Sequence, residues 1–449
     1  MAQKNNINLT EGDIRKQILR FIIPVIISSV FQQFYSLTNQ LIVGNYVSKE
    51  ALSAVSACNV ITSMFMFFFG GIALGAGIVT SHAYGSKNHE KLRDTVSTAI
   101  IIAFFGGIIL TVLSELTVKW MMNLVNINET LYPIALGYLR VYLIGNIAVF
   151  MYNMGFHILR SIGDSRHPLY YLIISSIVNV VLGVIFVRKL NMMATGTALA
   201  TIISQFIVDI LCYSLIARNE VLGVDMKHLR IDWDIVGEIF RLGVPAGIQN
   251  SLIGLAGATV QAYTNLFSNE FIAGVGVAQR VTSYVQSSMN ALTTVSTSFV
   301  GQNYGAGKYE RVREGTKFCL RLSNTVSLTL ATLVFIFAKP LVSMFNKNPQ
   351  IVGYGVEMVR WTVYSTVFLG WSHIYNGVCR GAGNVKFPLI IAVTTQVVVR
   401  YIFVVVAFKI SFSVYHIYVA NMIGFVLAGI AATLYFRYGK WTKEHYLRT

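Results

Sequence analysis

Long apolar runs separated by short polar loops recur twelve times, near residues 21–43, 53–81, 96–114, 132–159, 168–187, 194–217, 239–266, 271–300, 318–338, 351–379, 387–408 and 415–436. A bilayer core about 30 Å thick is crossed by about 20 helical residues, so each run predicts a transmembrane helix. Runs longer than that predict tilt or bending. The first run contains "FYSLTNQLIVG" (34–44), which puts Thr38, Asn39 and Gln40 into a helix otherwise suited to lipid. Such groups need partners inside the protein, because lipid offers none.

Composition agrees with the pattern. The chain of 449 residues is 55% hydrophobic and only 12% charged, with a mean hydropathy of +0.61, too little charge to cover a water-soluble globule of this size. The fold class expected is an all-α polytopic membrane protein. The net charge of +16 does not point to nucleic acid, because the basic residues sort by membrane side. Twenty-four Lys and Arg fall on the N-terminal side and seven on the other, while Arg140, Arg280, Arg360 and Arg400 lie inside helices. The positive-inside rule places both termini in the cytoplasm, and a bacterial cytoplasmic (inner) membrane is the expected location. Residues 1–20 are polar and lack a cleavage-site pattern after a short apolar core, so helix one is expected to be its own insertion signal. Cys58, Cys212, Cys319 and Cys379 lie in or at the ends of helices without CxxC spacing, which argues against a disulfide framework or a zinc site.

An internal repeat organises the chain. "YGSKNHEKLRD" at 84–94 recurs as "YGAGKYERVRE" at 304–314, an offset of 220. The same offset relates Glu50 to Glu270, Thr62-Ser63 to Thr282-Ser283, Arg140 to Arg360, Arg160 to Arg380, Gly163 to Gly383 and Pro168 to Pro388, and Pro24 matches Pro245 with a one-residue slip. Matches in register over so long a stretch indicate duplication. Six helices per half is an even number, so the halves are parallel repeats related by a pseudo-two-fold axis along the membrane normal, an arrangement that suits a transporter. The domains expected are a cytoplasmic segment at 1–20, a six-helix lobe at 21–217, a polar linker at 218–238, a second six-helix lobe at 239–437 and a cytoplasmic tail at 438–449. The repeated basic loops are expected to orient helices and meet anionic headgroups.

These residues resemble the multidrug and toxic compound extrusion (MATE) transporters, and within them the bacterial DinF-like branch. The resemblance rests on "LTNQLIVGNYVSKEALSAVSA" (37–57), the "YGSKNHEKLR" loop with its repeat, "YNMGFHILRSIGDSRHP" (152–168), "SIVNVVLGVIF" (176–186), "GVPAGIQN" (243–250) and "YNGVCRGAGNVKFP" (375–388). It implies ion-coupled export of small, often cationic and amphipathic compounds by alternating access. The branch usually carries one aspartate in helix one and another in helix five; here those positions read Asn39 and Gly183. Asn153 and Asn179 match the hydrogen-bonding neighbours of those aspartates, so the polar cluster remains without its titratable members.

Polar residues also line up at helical spacing. Ser29, Gln32, Ser36 and Asn39 share one face of helix one; Ser175, Asn179 and Gly183 step by four on helix five, as do Thr197, Thr201, Gln205 and Asp209 on helix six. Such stripes must face one another or water, which predicts a hydrated cavity in the first lobe; the plainer reading is a set of interhelical hydrogen bonds. Asp209 stands well inside its helix, where a carboxylate must be protonated or paired. It is the candidate for the missing coupling group, with pairing to a basic group such as Arg218 as the structural alternative. Asn39, Asn153 and Asn179 complete the proposed coupling site. A sodium ion near Asn39 and Asn179 is the alternative to a proton, and no other metal or cofactor is expected.

The substrate cavity is expected to draw on Gln32, Tyr35, Ser36 and Gln205 in the first lobe, and on Gln249, Gln261, Arg280 and Tyr364 in the second, together with His373, Gln396 and Arg400. His373, at the repeat position of Asn153, can titrate near neutral pH, although a satisfied hydrogen bond is expected. Glu357 and Arg360 are spaced for a helical ion pair. Arg400, mid-helix, needs a carboxylate, carbonyl, water or substrate. The reading is therefore a monomeric secondary exporter of a small-molecule substrate, in contact with membrane lipids and not with nucleic acid. A flippase of lipid-linked substrates is the alternative. No Walker, HExxH or GxSxG motif is present, so neither direct ATP coupling nor a membrane enzyme is expected.

Overall fold

The structure is a computed structural model that describes residues 7–125 and 127–439. The start of the expected N-terminal segment and nearly all of the expected tail lie outside these residues. So do the side chains of 34–37, 39–41, 43–46, 49, 124 and 255, among them those of Tyr35, Ser36 and Asn39. Among the described residues there are helices and no strands. The first half contains α1 (Ile14–Tyr46), α2 (Lys49–Gly85), α3 (His89–Leu124), α4 (Tyr132–Ile144), α5 (Asn146–Ser161), α6 (Arg166–Val184) continued by a π-helical turn (Ile185–Lys189), and α7 (Met193–Ala217). The second contains α8 (Trp233–Thr264), α9 (Asn269–Gly305), α10 (Tyr309–Ile336), the short α11 (Ala338–Ser343), α12 (Pro349–Thr362), α13 (Ser365–Gly381), α14 (Lys386–Ala392), a π-helical stretch (Val393–Val399), α15 (Arg400–Ile410) and α16 (Tyr415–Tyr438).

Joined across its π-helical stretch, α14–α15 is a single apolar span, Lys386–Ile410. Among the described residues, seven helices are long and apolar enough to cross a membrane, and an eighth span is the α4–α5 pair, bent by 48°. Others are more polar because their polar groups are buried in protein. On α9, Thr282, Ser287, Ser288 and Thr297 are buried. Their hydroxyls donate to carbonyls one turn back, at 2.9 to 3.3 Å, so the helix satisfies them without water.

The repeat is visible in backbone detail. Ser48 caps α2 and Ser268 caps α9, each accepting from the amide three residues on. Gly163 and Gly383 turn the chain with φ of +87° and +85°. At the matching turns after α2 and α9, the first copy holds Lys87 at φ +56° where the second has Gly307 at +68°.

The chain forms two compact units, one of residues 1–8 and 23–247, the other of 9–22 and 248–449. The two long proline-bearing helices, α1 with Pro24 and α8 with Pro245, each pass from one unit into the other close to the proline. In the first unit the initial half of α8 crosses α2 with only glycine between the backbones. A Cβ on Gly71 would stand 2.3 Å from Gly247 N, and one on Gly75 would stand 2.7 Å from Gly243 N. This is small-xxx-small packing on both helices.

The repeated basic loops hold chain segments in place. In the first unit, Thr98 Oγ1 accepts from the Asp232 amide at 3.0 Å, Lys91 pairs with Glu238 at 3.1 Å, and Asp232 caps α8. In the second, Lys308 donates to the Thr10 carbonyl at 2.9 Å, and Arg311 donates to the carbonyls of Gly12 and Leu9 at 2.8 and 3.2 Å. Each loop therefore binds the segment that leads into a proline-bearing helix.

Candidate functional site

In the first unit the polar stripe falls on α7, and Thr197, Thr201, Gln205 and Asp209 are all buried. Thr201 Oγ1 donates to the Thr197 carbonyl at 2.9 Å and accepts from Asn179 Nδ2 of α6 at 3.1 Å, which ties the two helices together. The other acceptors nearby have no donor. Asn179 Oδ1, Gln205 Oε1 and both carboxyl oxygens of Asp209 are buried without a hydrogen-bond partner. Asp209 is only 6% exposed, and Arg218 does not pair with it. An ionised carboxylate left like this costs several kcal/mol; a proton or a small cation removes that cost.

The other predicted residues of this unit are more scattered. Asn153 Nδ2 donates to the Val149 carbonyl of its own helix at 2.7 Å, and its Oδ1 faces α2 at Gly70, 3.9 Å from where a Cβ would be. Gly183 packs on α1, with Ile42 Cδ1 3.3 Å from the position of a Cβ, so an apolar contact occupies the place of the helix-five aspartate. Gln32 is exposed on α1. Tyr35, Ser36 and Asn39 fall outside the described side chains.

The second unit holds cations instead. Buried Arg380 of α13 donates to Gln249 Oε1 at 2.7 Å, and its Nε has no partner. His373, two turns earlier on the same helix, shares a 2.7 Å hydrogen bond with Thr293 Oγ1 of α9. Arg400 donates from Nη2 to Asn421 Oδ1 of α16, with its Nε buried and unpartnered. Gln396, on the preceding π-helical stretch, is 8% exposed. Gln261 bonds to Asn265 near the end of α8, Arg280 is exposed, and Tyr364 meets Thr332 at 3.5 Å; none of these enters the bonds of Arg380 or Arg400. The expected Glu357–Arg360 pair does not form. Tyr418 instead donates to Glu357 at 3.4 Å and the Arg360 guanidinium lies over the Phe335 ring, 5.5 Å from its centroid. Asn421 is a partner that spacing does not pick out; the signal for it is a lone asparagine in "YVANMIGF".

The MatE family model matches residues 24–185 and 245–406, one copy in each repeat, starting at Pro24 and Pro245. The chain belongs to the MatE family. MatE proteins are transporters and not enzymes, as the resemblance implied. This MatE chain is 26% identical to the probable multidrug resistance protein YpnP of Bacillus subtilis over 97% of each chain. It is 25% identical to an FAD transporter of Shewanella oneidensis over 78% of each. The outward-facing structure of a multidrug resistance MATE family transporter of the MOP superfamily has the same fold, with a TM-score of 0.89 at 20% identity, covering 96% of each chain.

Proposed function

We propose that this chain is a secondary active exporter of small amphipathic compounds, resident in a bacterial cytoplasmic membrane with both termini inside. Two lobes alternate access to a central path, and a proton or sodium ion taken up on the return stroke resets affinity for the substrate. The observation that carries the reading is Asp209, buried in the first unit with neither oxygen bonded. A group in that state binds a cation in one stroke and releases it when its surroundings change. Asn179 and Gln205, whose amide oxygens also lack donors, extend the site towards oxygen ligands of the kind sodium accepts. Relatives named for multidrug resistance and for FAD transport support export of organic compounds. The flippase reading draws less support, since the relatives are named for multidrug resistance and FAD transport.

Uptake into inverted vesicles under separately imposed proton and sodium gradients tests this. Dependence on the proton gradient, lost in Asp209→Asn, is the expected result. Sodium dependence alone moves the coupling role to the amide oxygens, and uptake without either gradient contradicts the proposal.

A further inference from the structure

In the second unit the interior around Arg400 has the form of a binding site for an anion. The span Lys386–Ile410 places Arg400 about 15 Å of helix from its Ile410 end and about 21 Å from Lys386, within the apolar layer. The carboxylates among the described residues of this unit are Glu11, Asp13, Glu270, Glu310, Glu314 and Glu357, and none forms an ion pair with Arg400. Its guanidinium has five N–H donors. The one acceptor it meets among the described residues is the Asn421 amide oxygen, and Nε is left with none. A half-buried cation so placed, with its Nε shut off from water, is costly unless something supplies the opposite charge.

Three further features converge on the same spot. Gln396 is one helical turn before Arg400, buried, and its amide makes no hydrogen bond to any described residue. The backbone between them is π-helical over Val393–Val399, a wide turn that is rare and concentrated at functional sites. Across from both, on α16, stands Gly424: a Cβ there would be 3.7 Å from Arg400 Cδ and 3.7 Å from Gln396 Cα, ordinary contact distances, so the glycine leaves room for about one methyl group beside the two polar groups.

We propose that Arg400, Gln396 and Asn421 form the binding site for an anionic group, a carboxylate or phosphate, of an amphipathic ligand. The guanidinium supplies the charge and a fork of parallel donors, the Gln396 amide donates to a remaining oxygen, and Asn421, whose Nδ2 donates to the Ile417 carbonyl at 2.9 Å, holds the guanidinium in place through its Oδ1. The inference rests on the exporter reading in one respect, that the anion belongs to a transported compound. An anionic lipid headgroup offers the same chemistry from a second source.

The test uses one xanthene skeleton in two charge states, fluorescein as the anion and rhodamine 6G as the cation, with the full chain in nanodiscs. Equilibrium binding of fluorescein is expected to weaken by about tenfold or more in Arg400→Gln, while rhodamine 6G binding changes by less than about twofold. Arg400→Lys keeps the charge without the fork and falls between. Asn421→Asp keeps the guanidinium and gives it a fixed counterion, so it too is expected to lose fluorescein binding; a purely structural Arg400 predicts no change there. Fluorescein binding that is undetectable in the parent, or unchanged in Arg400→Gln and Asn421→Asp, overturns the site. Nanodiscs of phosphatidylcholine with and without phosphatidylglycerol separate the sources: competition by phosphatidylglycerol assigns the anion to lipid, and equal binding assigns it to a soluble compound. Arg400-dependent binding without gradient-driven uptake of either dye refutes the exporter reading and keeps the site. Gradient-driven rhodamine 6G uptake with Arg400-independent fluorescein binding does the reverse.

Discussion

The two units place opposite chemistry around one matching contact. Thr201 and Asn421 are one repeat apart (421 − 201 = 220), and each accepts a hydrogen bond from the preceding span, from Asn179 in the first unit and from Arg400 in the second. The first unit is left with bare acceptors, Asn179 Oδ1 at that contact and Gln205 Oε1 and both Asp209 oxygens one and two turns further along α7, and the second with a bare donor, Arg400 Nε. Arg160 and Arg380, also one repeat apart, each leave Nε bare, so the contrast lies in Asp209 and Arg400 rather than in every buried charge. The first unit therefore carries unpartnered acceptors and the second an unpartnered donor. Duplication thus preserved caps, turns and the Arg160–Arg380 correspondence, while these unpartnered groups differ between the copies. Packing accounts for part of this: the repeat position of Asp209 is Gly429 (209 + 220), where a Cβ would stand 2.4 Å from the Phe368 carbonyl oxygen.

That steric statement gives the largest expected effect. Gly429→Asp puts the carboxylate of the first unit where the second has no space. It is expected to cost more than about 3 kcal/mol, seen as loss of folded protein in thermal unfolding; a stable variant breaks the comparison. Gln249→Leu removes the acceptor of Arg380 Nη2 and leaves more of a buried cation unbonded. A loss of about 2 to 3 kcal/mol is expected, against a change below about 1 kcal/mol for Asp209→Asn, whose oxygens have no bonds to lose. At the turn after the second helix of each half, Gly307→Lys is expected to cost about 1 kcal/mol and Lys87→Gly to gain less than that, because only the left-handed φ differs in cost. Thr201→Val, which deletes the bond from Asn179, is expected to cost about 0.6 kcal/mol. Unfolding of each variant in one detergent measures the series.

Much of the fold was legible because it depends on local signals. Apolar length set the spans, and the 220-residue offset set the halves. Ser48 and Ser268, each two residues ahead of a glutamate, carry the residue types that start a helix. What stayed hidden was pairing. Gly71-xxx-Gly75 and Gly243-xxx-Gly247 are visible spacings, but nothing in a spacing says that these two helices cross each other. Lys308 and Arg311 also bind the carbonyls of Leu9, Thr10 and Gly12, acceptors that every residue carries and no pattern marks. Residue type and depth marked Asp209 and Arg400 as charged groups inside helices, and there the structure places them. Partners were not legible: Arg218 fails to reach Asp209, Glu357 goes to Tyr418, and the partner of Arg400 is a lone asparagine in the apolar middle of α16.

The central claim is that the first unit binds the exchanged cation at Asp209. It is tested most directly by comparing Asp209→Asn with the parent in two modes, gradient-driven accumulation and exchange of labelled for unlabelled substrate at equilibrium. A group that carries the coupling ion predicts that accumulation falls by about tenfold or more while exchange persists. Accumulation equal to that of the parent in Asp209→Asn contradicts the account.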